Sequence, residues 1–334
     1  MNNRKLFFFT LILIIFIIFI NFNKGPLFLL LEPSKKNLST EISGQAFPKT
    51  LHDPTGIEFV IDNPPQRILS ATLATDHMLA GLIDPKRLVA VSSYVDYPNM
   101  SNVIGLYDSN IARTQGEIES MLALQPDLVF IASYSNPETV RYLLRSEIAV
   151  VRLGALNSFA DIFNNINMIA QVTDSKERAQ VIITNIKKRL HNIQKAIQGK
   201  PKLRVLYYNL DGYSTGAHSL MDETIRLAGG INVAAEILPD GENKISVEQA
   251  ISLQPDVIII NQSELDQPSE NASAIDILLN KKAWANVPAI KKKQVYAIPA
   301  KWLRSVSQHR IHGVEAVAKY LHPEIKTDNE ALNE

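Results

Sequence analysis

Residues 117–131 read EIESMLALQPDLVFI, and residues 246–260 read SVEQAISLQPDVIII. Both stretches contain a Leu-Gln-Pro-Asp run, and each carries a Glu five residues before that Leu. Apolar residues at helical spacing precede the Pro-Asp pair, which ends the helix, and an unbroken apolar run follows. Such a run, rich in Val and Ile, is typical of a strand buried on both faces of a parallel sheet. The repeat therefore predicts two α/β lobes of related design, facing each other across a cleft.

Strand and helix patterns alternate on both sides of the repeat. This alternation predicts parallel sheets with right-handed crossovers, and so two Rossmann-like lobes. For the first lobe the predicted strands are 67–71, 87–92, 127–132 and 148–152, and the predicted helices are 75–83, 117–124 and 136–146. For the second lobe the predicted strands are 203–209, 256–261 and 294–298, and the predicted helices are 219–228, 246–253, 274–280 and 310–321. A hairpin around the turn 53–56 is expected ahead of the first lobe.

The segment between the two lobes carries no strand pattern. Ser158 and Asp174 each stand at a predicted helix N-terminus, with an acidic residue three positions further on. Apolar residues then recur at steps of three and four over 174–198, which predicts an amphipathic helix of about 24 residues, roughly 36 Å long. The expected organisation is an N-terminal lobe at 51–157, an interdomain helical segment at 158–200, a C-terminal lobe at 201–324 and a disordered tail at 325–334.

The N-terminus has the pattern of an export signal. Arg4 and Lys5 precede an apolar stretch from Leu6 to Ile20. The stretch is short for a spanning helix, which needs about 20 residues, and no small-residue cleavage site follows closely. Residues 1–24 are therefore interpreted either as a cleaved signal peptide or as an uncleaved anchor, followed by a polar tether at 25–50. Both interpretations place the lobes outside the cytoplasm, in the periplasm or its equivalent.

Charge, cysteine content and motifs exclude several functions. Lys plus Arg and Asp plus Glu each number 34, so the formal net charge is zero and gives no support to a nucleic-acid partner. The absence of cysteine excludes disulfides, thiolate metal sites and a cysteine nucleophile. No hydrolase, metalloprotease, P-loop or dinucleotide motif occurs, so no catalytic residue is nominated. A chelatase-like enzyme on the same scaffold remains the alternative from a different functional class.

Several segments together match a known family. They include RLVAVSSYVDYP, IESMLALQPDLVFIA, SLMDETIRLAGGINVAA and ISVEQAISLQPDVIIIN, and they follow the family's order between about residues 50 and 324. The chain resembles the class III periplasmic substrate-binding proteins of ABC importers for cobalamin, ferric siderophores and haem, whose lobes are joined by one rigid helix. VSSYVDYP is most similar to the cobalamin-binding branch. The resemblance implies a monomeric binder without a cofactor, which delivers its ligand to a membrane permease and its ATPase.

The resemblance also implies where the permease docks. In such proteins a surface Glu on each lobe contacts arginines of the permease, and the matching positions here are Glu119 and Glu248. Each lies in the first turn of its predicted helix, where the helix dipole favours a carboxylate. Helix-end electrostatics is therefore the alternative explanation for both residues.

Ligand contacts are expected on the loops that follow the strands of the two sheets. Aromatic faces suit a large planar macrocycle or an aromatic chelator, and arginines suit a propionate, phosphate or siderophore anion. The candidates from the first lobe are Ser70, Thr72, Tyr94, Asp96 and Tyr97. The candidates from the second lobe are Tyr213, Ser214, Trp302, Arg304 and Arg310. The alternatives are packing roles for Tyr94 and Trp302 and a helix-start ion pair for Arg310.

The histidines offer a weaker, metal-binding hypothesis. His309 and His312 have the spacing of a helical ligand pair, and His77 and His218 are candidates to approach from opposite lobes. A bare-metal site needs three or four convergent ligands, which these do not supply, so no metal ligand is nominated. The expected ligand is a cobalamin or an iron chelate, with haem or a bare transition metal as the alternative. The sequence does not choose among them.

Overall fold

The computed structural model of the protein describes residues 39–262 and 274–325. The chain divides into two units, Met1–Glu32 and Pro33–Glu334, and all described residues belong to the second. The predicted signal or anchor at 1–24 and nearly all of the predicted tail lie outside the described residues. Within the described ranges, no helix has the length and apolar character needed to cross a membrane.

The first described elements form a three-stranded antiparallel sheet. Its strands, in order, are β1 (Glu41–Ser43), β2 (Lys49–His52) and β3 (Glu58–Ile61). β2 and β3 make the predicted hairpin, in which the Gly56 N–H donates to the Asp53 carbonyl at 2.8 Å. Thr40 and Arg152 also exchange hydrogen bonds through the main chain and the Thr40 hydroxyl. Folded structure therefore begins inside the range assigned to the tether. The short, polar sequence of β1 does not predict a strand, because the strand is stabilised by pairing with β2.

The N-terminal lobe is built on a five-stranded sheet in which every neighbouring pair of strands is parallel. Its strands are β4 (Ile68–Ser70), β5 (Leu88–Ser92), β6 (Ala112–Thr114), β7 (Leu128–Ile131) and β8 (Ala149–Arg152). Its helices are α1 (Leu73–Leu79), α2 (Ile118–Ala123) and α3 (Pro137–Leu144). The strand order is β6-β5-β4-β7-β8, so β4 is central. From β4 the chain moves outward through β5 to β6, and it then adds β7 and β8 on the other side of β4.

Two helices carry the chain from the first lobe to the second. They are α4 (Phe159–Thr173) and α5 (Lys176–Ala196), and the Ser158 side chain caps α4 as predicted, accepting from the Asp161 N–H. The prediction that Asp174 caps the second helix is wrong. Asp174 has φ 59° and ends α4, because an Asp tolerates the left-handed conformation, and Ser175 takes the N-cap position of α5.

Helix α5 contacts both lobes along its length. Near its start, Arg178 donates to the Leu82 carbonyl of the N-terminal lobe at 3.2 Å. Further along, the Arg189 guanidinium pairs with the Glu315 carboxylate of the C-terminal lobe at 2.6 Å, where Glu315 is almost fully buried. A 21-residue helix rises about 32 Å. The helix is therefore a brace fixed at both lobes.

The C-terminal lobe has a four-stranded parallel sheet and a separate two-stranded antiparallel pair. Its strands are β9 (Arg204–Tyr207), β10 (Tyr213–Thr215), β11 (Ile231–Asn232), β12 (Glu242–Lys244), β13 (Val257–Gln262) and β14 (Val295–Pro299). Its helices are α6 (Leu220–Leu227), α7 (Val247–Ser252), α8 (Ala274–Leu279), α9 (Pro288–Lys291), α10 (Ala300–Leu303) and α11 (Arg310–Leu321). The parallel order is β11-β9-β13-β14, and β10 pairs with β12. Six short elements were not predicted, because elements of two to four residues are too short to show a period: β6, β10, β11, β12, α9 and α10.

The sequence repeat has one structural explanation in both lobes. Gln125 and Gln254 adopt left-handed conformations, with φ 48° and 46°, and end α2 and α7. The Asp127 carboxylate accepts the main-chain N–H groups of Gln66 and Arg67, and the Asp256 carboxylate accepts the Arg204 N–H.

An arginine completes this arrangement in each lobe. Arg67 and Arg204, at the starts of β4 and β9, donate through their guanidinium groups to carbonyls at the ends of α2 and α7. These bonds satisfy helix carbonyls that would otherwise lack partners. The Leu-Gln-Pro-Asp run is therefore explained by the helix-to-strand turn alone, whereas the repeated Glu takes no part in it.

Candidate functional site

A cavity of about 430 Å³ lies between the two lobes. One wall comes from the N-terminal lobe, at the carboxyl ends of its parallel strands, where ligands of open α/β sheets bind. The other wall is formed by α10 and the residues after it. The lining residues are Ala71, Thr72, Leu73, Ala74, His77, Tyr94, Asn99, Met100, Tyr134, Ala300, Arg304, Ser305 and Val306. The site thus joins segments more than two hundred residues apart.

The start of α1 forms the floor on the N-terminal side. Thr72 is its N-cap, and the side chains of Thr72 and Thr75 satisfy each other's main-chain N–H groups in a capping box. Asp76 and His77 follow in the same helix and are buried. Burial raises the pKa of Asp76 well above its ordinary value, and burial together with His309 lowers the pKa of His77 to about 3. Both groups therefore favour their neutral forms beneath the cavity.

Aromatic and thioether side chains form the rim. Tyr94 and Tyr97 lie in the loop after β5, with ring centroids 5.7 Å apart, and each is about half exposed. Met100 from the same loop and Tyr134 from the loop after β7 are also exposed at the cavity. Large apolar side-chain faces that remain exposed at the mouth of a cavity are typical of a ligand-binding site, whereas those of a hydrophobic core are buried.

Arg304 provides the positive charge of the opposite wall. It occupies the C-cap position of α10 and is exposed, and no ion pair or side-chain hydrogen bond engages its guanidinium within the described part of the chain. No Asp or Glu is among the lining residues that the structure describes. Since the His77 ring is neutral, the described lining carries one net positive charge and suits a neutral or anionic ligand with a planar apolar face.

The structure brings three of the ten predicted ligand residues to the cavity. These are Thr72, Tyr94 and Arg304, and Tyr97 packs beside Tyr94 at the rim with its ring tilted by 51°. Asp96 is instead held by Arg113 at 2.7 Å, which lowers the pKa of its carboxyl.

Three further candidates are buried with partners of their own. The Ser70 hydroxyl lies 2.6 Å from that of Thr75, and the Ser214 hydroxyl donates to the Tyr207 carbonyl. The Arg310 Nε donates to the Thr224 hydroxyl at 2.8 Å, so its partner is not the ion pair considered from the sequence. None of the three is among the residues that line the cavity.

The last two candidates lie away from the cavity. Tyr213 packs in the small sheet, with the Lys244 ammonium 5.8 Å from its ring centroid. Trp302 is half-buried against His312, with ring centroids 6.0 Å apart. Four lining residues, Asn99, Met100, Tyr134 and Ser305, were not among the candidates, and His77 was considered only for metal binding. Of these, Tyr134 follows a correctly predicted strand, so the rule that ligands bind at the carboxyl ends of strands would have found it.

The predicted docking residues lie on the surface. Glu119 and Glu248 are exposed in the first turns of α2 and α7. Hydrogen bonds from its own main-chain N–H and from the Ser246 side chain lower the pKa of Glu248. The histidines do not assemble a metal site: over residues 39–262 and 274–325 no group of three or more metal-ligating side chains is arranged to hold an ion.

Residues 68–302 match the family model described as "Periplasmic binding protein". The chain belongs to the periplasmic binding protein family. Membership confirms the resemblance read from the sequence. The family consists of substrate-binding proteins of transporters, which implies an extracytoplasmic location and the permease and ATPase of an ABC transporter as partners. In this class the bound molecule is cargo and not a cofactor.

Individual relatives agree with this assignment. The chain is 23% identical to the ABC transporter substrate-binding lipoprotein YvrC of Bacillus subtilis, over 88% of this chain and 90% of that protein. It is 29% identical to the vitamin B12-binding protein of Vibrio cholerae, over 77% of this chain and 90% of that protein. The fold is similar to that of the periplasmic haem-binding protein RhuT of Roseiflexus, with a TM-score of 0.63, 21% identity, and coverage of 77% of this chain and 98% of that one.

Proposed function

We propose that this periplasmic binding protein captures a metal-chelate ligand with a planar apolar face, a cobalamin or an iron chelate, in the interlobe cavity. The observation that carries the proposal is an aromatic rim, Tyr94 and Tyr134, that faces the cation Arg304, which has no ion-pair partner among the described residues. The cobalamin and haem specificities of the relatives support the same ligand class. The ligand is released chemically unchanged, as expected for cargo of this family of binding proteins.

Direct titration tests the ligand class. The purified protein is titrated with haemin, with cyanocobalamin and with a ferric tris-catecholate, and binding is read from visible absorbance and tryptophan fluorescence. We expect saturable binding of at least one of the three. Failure of all three to bind, with the fold intact by circular dichroism, would contradict the proposal.

Arg304→Leu distinguishes anionic from neutral ligands. Loss of a charge-assisted contact costs about 1.5–3 kcal/mol, so an anionic chelate should bind more than about tenfold more weakly. Cyanocobalamin, which is neutral overall, should be affected little. Arg145→Leu is the matched control, because Arg145 is exposed at the C-cap of α3 and does not line the cavity. Equal effects of the two variants on the affinity for every ligand would show that Arg304 does not contact the ligand.

Truncation of the rim tests the apolar contact. Tyr94→Ala should weaken binding by about 2 kcal/mol, or roughly 30-fold, as for other aromatic anchors. Tyr142→Ala serves as the control, since Tyr142 is similarly exposed on α3 but lies outside the cavity. An unchanged dissociation constant in Tyr94→Ala would show that the ring only packs its own loop.

Glu119 and Glu248 are proposed to dock the two lobes onto arginines of the permease. The helix-to-strand turn explains the rest of the repeat without them, and both carboxylates are exposed. Charge-assisted carboxylate–arginine bonds would orient the protein on the transporter more than tighten it. The double variant Glu119→Gln, Glu248→Gln should therefore keep ligand affinity and lose uptake in cells that carry the cognate permease and ATPase. The control is the exposed pair Glu138→Gln, Glu242→Gln, and normal uptake in the docking variant would overturn the assignment.

The N-terminal segment is proposed to hold the protein at the cytoplasmic membrane as an uncleaved anchor, with the folded part acting as a monomer. The apolar run from Leu6 to Ile20 and the lack of a nearby cleavage site support this. Alkaline carbonate extraction should leave the protein in the membrane pellet, and Edman sequencing should begin at the initiator region. A soluble mature form with a new N-terminus would establish a cleaved signal peptide instead.

A further inference from the structure

Beside the cavity, two hydrogen bonds running in opposite directions tie the lobes together. The Asn102 side-chain amide of the N-terminal lobe donates to the Lys301 carbonyl at 2.7 Å. The Gln308 side-chain amide of the C-terminal lobe donates to the His77 carbonyl. We call these four residues the interlobe latch. Because each bond joins a side chain to the main chain of the opposite lobe, the pair fixes the separation of the two cavity walls.

His77 is the centre of the latch. Its Nε2 accepts the main-chain N–H of Asn102 at 3.1 Å, and its ring is only 2% exposed. A main-chain N–H only donates, so Nε2 must carry no proton. A proton on Nε2 would break this bond and release the loop whose Asn102 side chain reaches across to the other lobe.

The groups that face His77 cannot neutralise such a proton. The ring of His309, at the N-cap of α11, lies 5.2 Å from the His77 ring in an edge-on arrangement, and the His312 ring lies 6.2 Å beyond it. From α5 the Arg189 guanidinium donates to the His312 Nδ1 at 3.2 Å, and the Glu315 carboxylate is already paired with Arg189. Lys301 adds a further positive charge on the α10 side. The cluster is therefore rich in groups that repel a second cation.

Burial acts in the same direction. It is the main cause that lowers the pKa of His77 to about 3, and those of His309 and His312 to about 4 each, with neighbouring positive charges adding to it. Asp76, next to His77 in α1, gives no compensation. Its carboxyl group accepts the Ser92 N–H within its own lobe, and burial favours the neutral form of that carboxyl.

We propose that the interlobe latch is a proton-sensitive closure, in which neutral His77 holds the lobes together over the cavity and acidification opens them. The closed state is fully favoured above the ordinary histidine pKa and weakens as the pH falls below it, since the open state takes up the proton. His77 alone changes the ratio of open to closed forms by at most about 30-fold between pH 7.5 and pH 5, if opening restores its ordinary pKa. The closure is a property of the protein and does not depend on which ligand it carries.

The distance between the lobes measures the latch directly. The chain has no cysteine, so Glu138→Cys in α3 and Lys291→Cys in α9 create two unique, exposed sites for spin labels. Double electron–electron resonance is recorded on the full-length protein in detergent, without ligand, at pH 7.5 and pH 5. We expect one narrow distance distribution at pH 7.5 and a second, displaced population at pH 5.

Variants assign the effect to the latch. His77→Gln keeps an acceptor for the Asn102 N–H but cannot be protonated, so it should need a lower pH to open. Asn102→Ala with Gln308→Ala should show the displaced population already at pH 7.5. His218→Gln is the control, because His218 is exposed and pairs with Asp240 away from the lobe contact.

When His77→Gln folds, either of two results would overturn the proposal. One is a wild-type distance distribution that is identical at the two pH values. The other is a His77→Gln protein that opens at the same pH as the wild type. If circular dichroism shows that His77→Gln does not fold, Asn102→Ala alone decides, since Asn102 is only partly buried. A closed, wild-type-like distribution in that variant at every pH would refute the latch. Because no ligand is present, failure here is distinct from failure of the proposed ligand class.

Discussion

The buried carboxyl of Glu223 should make the stability of this protein fall as the pH rises. Glu223, in α6, is 2% exposed, and its Oε2 accepts the Phe159 N–H at the start of α4 at 2.7 Å. Its Oε1 is buried with no hydrogen-bond partner among the described residues. Burial raises the pKa of Glu223 to about 8, although the Phe159 N–H, Arg226 and Arg310 act against it.

The sign and size of the effect follow from proton linkage. Between the ordinary pKa of about 4.5 and the folded-state pKa of about 8, the folded protein holds a proton that the unfolded chain has released. The free energy of unfolding therefore decreases with rising pH in this window. From pH 5 to pH 7 the free energy of unfolding falls by about 2.5 kcal/mol. Each pH unit over which the two states differ by one full proton contributes about 1.36 kcal/mol to this fall.

Glu223→Gln removes the ionisation and keeps an oxygen to accept the Phe159 N–H. Unfolding free energies are measured by urea denaturation of a form that begins at Pro33, the start of the second unit. The difference in unfolding free energy, variant minus wild type, should be about 2.5 kcal/mol larger at pH 7 than at pH 5. Any pH-independent cost of the new amide lowers the variant's unfolding free energy equally at pH 5 and at pH 7, so it does not affect this comparison. The control Glu138→Gln, on the surface of α3, should run parallel to the wild type. A constant difference between Glu223→Gln and the wild type would refute the reasoning.

Three further changes test the packing, each by urea denaturation. Gly216→Ala should cost at least about 3 kcal/mol or prevent folding, because its Cβ would lie 1.8 Å from the Pro239 carbonyl oxygen, and a wild-type midpoint would contradict this close approach. Trp284→Ala should cost about 3–5 kcal/mol, since the side chain is fully buried in the C-terminal core, and a loss below about 1 kcal/mol would mean that the core closes over the space. Arg189→Met should cost about 3–5 kcal/mol by leaving the buried carboxylate of Glu315 without its cation, and a neutral result would show that α5 does not brace the C-terminal lobe through this pair.

The sequence was sufficient for the architecture because its signals are local. The repeat at 117–131 and 246–260 places a helix, a turn and a buried strand within fifteen residues, and the structure has them within one or two residues of the predicted bounds. The long helix was predicted at 174–198 and is observed at Lys176–Ala196. Its signal is also local, because an apolar stripe with a period of 3.6 residues lies within one continuous segment. Asp174 was misplaced because an Asp that caps a helix and an Asp that ends one look the same in sequence.

The composition of the cavity, by contrast, was decided by the way the two lobes pack. Ser70 ends β4 and Ser214 lies within β10, yet their hydroxyls turn inward to partners. Tyr134, which was not nominated although it follows a predicted strand, reaches the rim. The contact of His77 with Gln308 joins residues 231 positions apart.

Periodicity tells which face of an element is buried, but a cavity between lobes depends on the position and orientation of one lobe relative to the other. That relation is fixed by the brace α5 and by contacts such as Arg189 with Glu315. The sequence by itself therefore determined two α/β lobes and the helix between them. Only the tertiary structure decided which side chains meet across the cleft, because no local pattern encodes a distance between segments so far apart in the chain.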